Sequence, residues 1–134
     1  MDRIVDVINS LSDLLTLKPA TNAQITDAEL QLRVSFADEY KQYLSAFGAI
    51  MADGVELSGI AKADHRNVVC LTKRERELNP NIPNNMYVIE DTHVDGIIIW
   101  QDTNGIIYKS EPNKSAIKVE NSLSEYLLKR EMRV

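Results

Sequence analysis

One cysteine, two histidines and five glycines are all that this 134-residue chain has of the residue types that build most recognisable sites. Cys70 cannot close an internal disulfide, and without a second cysteine it cannot hold zinc or an iron–sulfur cluster, which favours a reducing compartment. The glycines stand at 48, 54, 59, 96 and 105 and spell no dinucleotide fingerprint. Nor do they form a phosphate loop, because Gly59 is followed by Ile60-Ala61 rather than by lysine and a hydroxyl. His65 and His93 form no helical His-x-x-x-His pair and flank no nucleophile elbow. Apolar runs stop at four residues, against the roughly 20 of a membrane helix. Residues 1–15 mix Asp2, Arg3, Asp6 and Asp13 among their aliphatics, unlike the apolar region of a secretion signal. These absences lead us to expect a cytoplasmic, non-enzymatic protein with no cofactor.

Charge of one sign is also missing over a long stretch. Positions 77–108 hold no lysine or arginine but contain Glu77, Glu90, Asp91, Asp95 and Asp102, while Lys62, Arg66, Lys73, Arg74 and Arg76 crowd just before them. With a net charge of −5 from 20 acidic and 15 basic side chains, the chain lacks the basic footprint of a nucleic-acid binder. An acidic docking surface for a cationic protein is expected instead, where charge would raise association rate and specificity. Simple solvation of charged faces is the competing explanation.

Forty-four per cent apolar residues suffice for one core, and neither repeats nor linkers divide residues 1–134, so a single domain is expected. Ile4, Ile8, Leu11 and Leu15 recur at helical spacing up to Lys18-Pro19. Thr26-Asp27-Ala28-Glu29 reads as a capping box for a second helix ending near Arg33. Ser35 can cap a third, whose Phe36, Tyr40, Tyr43, Leu44 and Phe47 make a core stripe before Gly48 stops it. Asp53-Gly54 marks a hairpin between segments 49–51 and 55–57. Val68, Leu71, Glu75 and Leu78 predict a middle helix ended by Asn79-Pro80, with Lys73, Arg74, Arg76 and Glu77 on its wet side. Residues 81–85 read as loop.

Segments 86–91 and 97–101 read as strands, the second buried on both faces. Asn104-Gly105 turns the chain into a strand over 106–109, an edge strand is expected near 116–119, and Ser122-Leu123-Ser124-Glu125 is a capping box for a last helix. The fold class is therefore α+β: a twisted, mainly antiparallel sheet with N-terminal, middle and C-terminal helices packed on it.

Glu90, Asp91, His93 and Asp95 could offer oxygen and imidazole ligands to a metal, but their spacing is not that of an EF-hand, and a polar strand end followed by a turn explains them. Trp100 is read as a core anchor. Tyr87 and Tyr108 are expected to pack their rings and keep their hydroxyls wet. Cys70, between Val69 and Leu71, is expected to be buried and inert. The candidate partner-binding residues are Asp53, Glu56, Glu90, Asp91, His93, Asp95, Asp102 and Tyr108.

The order of motifs resembles the SUKH superfamily, which includes the yeast cell-wall-synthesis regulator and many bacterial immunity proteins. The likeness runs from about Ile25 to Leu128. It rests on Phe36-Ala37-Asp38-Glu39-Tyr40-Lys41-Gln42-Tyr43-Leu44 leading to Gly48, on Val69, Thr72 and Arg76, on Tyr87-Val88-Ile89-Glu90, on the hairpin from Asp102 to Tyr108, and on Ser122-Leu123-Ser124-Glu125-Tyr126-Leu127. Ala37 stands where the family commonly has a proline, which a first helical turn can do without. The resemblance implies a twisted antiparallel sheet with packed helices and no catalytic residues. It also implies that relatives bind and neutralise a toxin domain, often a nuclease. A regulatory or scaffolding module is the first alternative. A small-molecule-binding protein or enzyme using Glu90, Asp91 and His93 is the second.

Overall fold

A computed structural model describes residues 3–131; Met1 and Asp2, which entered the secretion-signal argument, lie outside it. The first helix, α1 (Arg3–Asn9), is shorter than the aliphatic spacing predicts. It stops because the Ser10 hydroxyl donates back to the Val7 carbonyl at 2.6 Å, competing for the acceptor a further turn would use. Asp13 then takes a left-handed φ of 57°. Leu15, counted as a helical core position, instead sits exposed in a two-residue strand, β1 (Leu15–Thr16).

α2 (Asn22–Leu32) is opened by a capping box one turn earlier than predicted. Gln24 N donates to Thr21 Oγ1 at 3.1 Å and Thr21 N to Gln24 Oε1 at 2.9 Å, so Thr26 and Glu29 fall inside the helix. Arg33 ends it in the left-handed region, close to the expected stop. α3 (Asp38–Phe47) has Ala37, not Ser35, at its N-cap, with no side-chain cap bond. The Ala37 amide donates to the Tyr87 hydroxyl at 2.9 Å, and Asp38 and Glu39 favour the positive end of the helix dipole.

The Asp53-Gly54 hairpin forms as read, with β2 (Ile50–Ala52) and β3 (Val55–Leu57) joining β1 in a three-stranded antiparallel sheet. α4 (Val68–Leu78) follows, capped by Asn67 Oδ1, which accepts from Val69 N and Cys70 N. Its buried face is Val68, Val69, Leu71 and Thr72, while Leu78 is exposed. A second antiparallel sheet has the order β4 (Met86–Asp91), β5 (Ile98–Asp102), β6 (Ile107–Ser110), β7 (Ile117–Glu120). The expected α+β architecture is present, with the sheet built in two parts and α5 (Leu123–Glu131) closing the chain. Among the described residues no helix is long and apolar enough to cross a membrane.

Both faces of the second sheet are covered. Tyr87, Ile89, Ile99 and Ile107 join the main core with α1, α2, α3 and α5, while Met86, Val88, Ile98 and Trp100 pack with Leu71 and Ile82 on the other side. Every residue of β5 is buried, as its apolar run predicted, and Trp100 donates Nε1–H to Ser110 Oγ at 2.8 Å. The outer edge of β4 is sealed: Val88 N donates to Thr72 Oγ1, and Ser58 donates its backbone N to Ile89 O and its Oγ–H to Val88 O. An edge bonded in this way offers no ladder to another chain. Ser58 is also the seam between the two sheets, and α3 holds it there. The Tyr43 hydroxyl donates to Ser58 O at 2.7 Å, and the Tyr40 hydroxyl lies 2.9 Å from Ser58 Oγ.

Candidate functional site

The structure gathers part of the predicted acidic set. At the end of β4 nearest the β2–β3 hairpin, Glu56, Glu90, Asp91 and His93 line one shallow cleft of about 270 Å³ together with Met51 and Val55. Asp53 stands exposed in the hairpin turn, and Asp95 stands exposed in the connection 92–97. That connection is tightly fixed. The Thr92 hydroxyl donates to Ile97 O at 2.8 Å, His93 N to Asp91 Oδ1 at 2.9 Å, and His93, Asp95 and Gly96 all have left-handed φ. Val94 is therefore held out in solvent, 55% exposed, and Met51 is 37% exposed on the hairpin.

Two of the predicted docking residues are not on the surface. Glu90 is 2% exposed: a β-bulge between Val88 and Glu90 places it opposite Ile99, on the core-facing side of the sheet. There it accepts from the Tyr126 hydroxyl at 2.8 Å and from Glu56 N at 3.3 Å. Asp91, next in sequence, pairs with Ile98 and faces α4. Strand alternation puts the two neighbouring carboxylates on opposite faces, and the bulge sets which of them faces inward. Asp102 is 4% exposed and lies at the far end of β5, opposite Met86. Its Oδ1 accepts from Asn104 N and Ile106 N, and its Oδ2 from the Tyr108 hydroxyl, so it builds the hairpin turn. Burial and the Asp102 carboxylate raise the Tyr108 pKa, keeping the phenol protonated as the donor.

The acidic end also carries its own neutralisation. Arg74 of α4 donates to Asp91 Oδ2 at 2.9 Å and to Glu75 at 2.8 Å, and Arg66 approaches Glu56 at 3.9 Å. Asp91, inside the cation-free stretch of sequence, is thus served by a cation from outside it. Asp53 and Asp95 remain as exposed acids beside Met51 and Val94. Among the described residues no three His, Cys, Asp or Glu side chains are grouped to hold a metal ion.

Other expectations are corrected by burial. Tyr87 is fully buried, hydroxyl included, donating to Gln101 Oε1 at 2.9 Å; desolvation raises its pKa. Cys70 is exposed because it lies off the apolar face of α4. Its thiol is nonetheless held protonated, by partial desolvation and by Asp64, whose Oδ1 accepts from Sγ at 3.6 Å. Arg76, assigned to the wet side, donates to Leu32 O and Asn84 O at 2.9 Å each, tying the end of α2 to the loop before β4. Its pKa is lowered by desolvation.

Glu39, named in the sequence only as part of the family-like segment, has a role that no local pattern assigns. It accepts from Leu123 N at 2.7 Å, from Ser124 N at 3.0 Å and from Ser124 Oγ at 2.8 Å, capping α5 from α3. Ser122, for its part, accepts from Glu125 N as the capping-box reading requires. No sequence signal links positions 39 and 123, which lie 84 residues apart.

Tyr40, Tyr43, Thr72, Arg76 and Tyr87, which carried the likeness to a known family, are thus among the side chains that bond one element to another. No curated protein matches the chain. The model of the family SUKH_5, described as SMI1-KNR4 cell-wall, matches residues 1–131, and the chain belongs to that family.

Proposed function

We propose that the protein is a non-enzymatic binding module of the immunity type, which neutralises a cationic bacterial toxin domain, such as a nuclease, by covering it in the cytoplasm. Membership of the SUKH family is consistent with an immunity or regulatory module. The observation that carries the finer reading is the shallow cleft in which the exposed Met51 lies with Glu56, Asp91 and His93, next in the chain to the exposed Asp53 of the hairpin turn and to the exposed Val94 and Asp95 of the connection after β4. An apolar centre with a charged rim suits a protein partner: the centre supplies affinity and the rim steers a cationic surface into register.

The test uses the toxin domain encoded beside the gene. Excess protein is expected to abolish the toxin's activity. A variant carrying Val94→Asp, Asp53→Lys and Asp95→Asn is expected to bind at least tenfold more weakly, with a shallower salt dependence and an unchanged melting temperature. Full toxin activity in the presence of excess native protein rules the reading out. Unchanged affinity of the triple variant moves the interface elsewhere.

A further inference from the structure

A separate cavity is lined by basic rather than acidic side chains. It has a volume of about 600 Å³ and opens between the segment before α2 and the segment leading to α4. Two close backbone approaches create it. A Cβ on Gly48 would lie 2.1 Å from Lys18 O, and one on Gly59 would lie 1.9 Å from Gly48 O. Only glycine lets the three strands of chain touch there. Leu17 N is bonded to Ala49 O and Ile60 N to Gly48 O, so both walls hang from the same backbone stretch.

Leu17, Pro19, Ile60 and Ala63 form apolar walls, and Lys18, Lys62 and Arg66 supply charge; none of the described residues lining the cavity is acidic. Lys18 and Lys62 are exposed and make no ion pair among the described residues. Arg66 is the informative one. Its side chain is only 15% exposed, yet its guanidinium donates no hydrogen bond among the described residues, and Nε is buried without a partner. Its one charged neighbour, Glu56, meets it at Nε at 3.9 Å, beyond hydrogen-bonding distance. A guanidinium has five donors in a planar fork that matches an oxyanion, and leaving the buried Nε unpaired is unfavourable.

We propose that this cavity binds a small amphiphilic anion, an apolar body ending in a carboxylate or phosphate, with the oxyanion on Arg66 and Lys62 and the body against Leu17, Pro19 and Ile60. The volume lies within the range of small-ligand sites, and the charge of the lining selects the sign. This site does not depend on the protein-binding reading above.

Octanoate, octyl phosphate, inorganic phosphate and octylamine are each titrated into the full chain. Calorimetry measures affinity, and amide shifts of Ile60, Ala61 and Ala63 locate binding. At least one of octanoate and octyl phosphate is expected to bind and shift those amides, and which of them is tighter identifies the headgroup. Arg66→Gln is expected to weaken that binding tenfold or more. Lys62→Glu, an exposed change that leaves the fold intact, is expected to weaken it several-fold. The proposal is overturned if neither amphiphilic anion binds, if octylamine binds as well as they do, if inorganic phosphate binds as tightly as either, or if Lys62→Glu binds like the native protein.

Discussion

The hairpin end of the molecule and the cavity beside Gly48 are both lined with charge, but the charge is handled differently. At the hairpin end Glu90 is internal, Asp91 is bonded to Arg74, and Glu56 has Arg66 nearby, so much of the negative charge is spent within the fold. Around the cavity, among the described residues, two lysines lack ion pairs and Arg66, the same side chain that stands 3.9 Å from Glu56, donates no hydrogen bond. A count along the chain reports where ionisable residues are. It does not report which ones the fold has already used, and here the conspicuous acidic stretch is the better neutralised of the two regions.

The deepest break in the comparison comes from the sheet on which the acidic end is built. Trp100→Ala removes a fully buried ring and its bond to Ser110, and is expected to cost about 3–5 kcal/mol in denaturant unfolding. A cost within 1 kcal/mol would mean that β5 is not a core strand.

Next come the acids themselves. Asp102→Ala leaves the turn amides of Asn104 and Ile106 without their acceptor, and about 2–3 kcal/mol is expected to be lost. Asp95→Asn, at an exposed left-handed position that asparagine tolerates, is expected to change stability by less than about 0.5 kcal/mol. Equal effects at the two sites would erase the distinction between acids used by the fold and acids left over.

Buried phenols give the comparison a pH dependence. Desolvation raises the pKa values of Tyr40, Tyr43 and Tyr87 above the ordinary 10.0, so in the folded state they hold their protons to higher pH than in the unfolded chain. Their contribution is fully present below pH 10 and is lost as pH rises beyond it. The melting temperature is therefore expected to fall steeply above pH 10, with tyrosinate absorbance appearing together with unfolding. Ionisation of these tyrosines near pH 10 in the folded protein would contradict their burial.

The smallest effect belongs to the ion pair at the acidic end. Arg74 is 45% exposed, and a double-mutant cycle of Arg74→Ala with Asp91→Ala is expected to give a coupling of about 0–1 kcal/mol. A larger value would make the hairpin end a rigid electrostatic unit.

Much of the fold could be read from local pattern. The Asp53-Gly54 and Asn104-Gly105 turns, the aromatic stripe of α3, the extent of α4 and the doubly buried β5 all depend on contacts within a few residues, or on an alternation that only one environment satisfies. Misreadings arose where two local patterns overlapped. Thr21-Asn22-Ala23-Gln24 and Thr26-Asp27-Ala28-Glu29 are both capping boxes on paper, and the chain uses the first. Leu15 fits a helical stripe, but the Ser10 hydroxyl ends that helix before the stripe reaches it.

The sequence by itself determined the α+β class, the positions of most strands and helices, and the family resemblance, because periodicity, turn chemistry and caps act over short distances along the chain. Tertiary structure alone decided which charges remain available. The bulge that turns Glu90 inward, the reach of Arg74 to Asp91, the capping of α5 by Glu39 and the glycine contacts that open the basic cavity all join segments distant in the chain. The worth of a charge depends on its neighbours in space and on the water left around it, and neither is written in the order of residues.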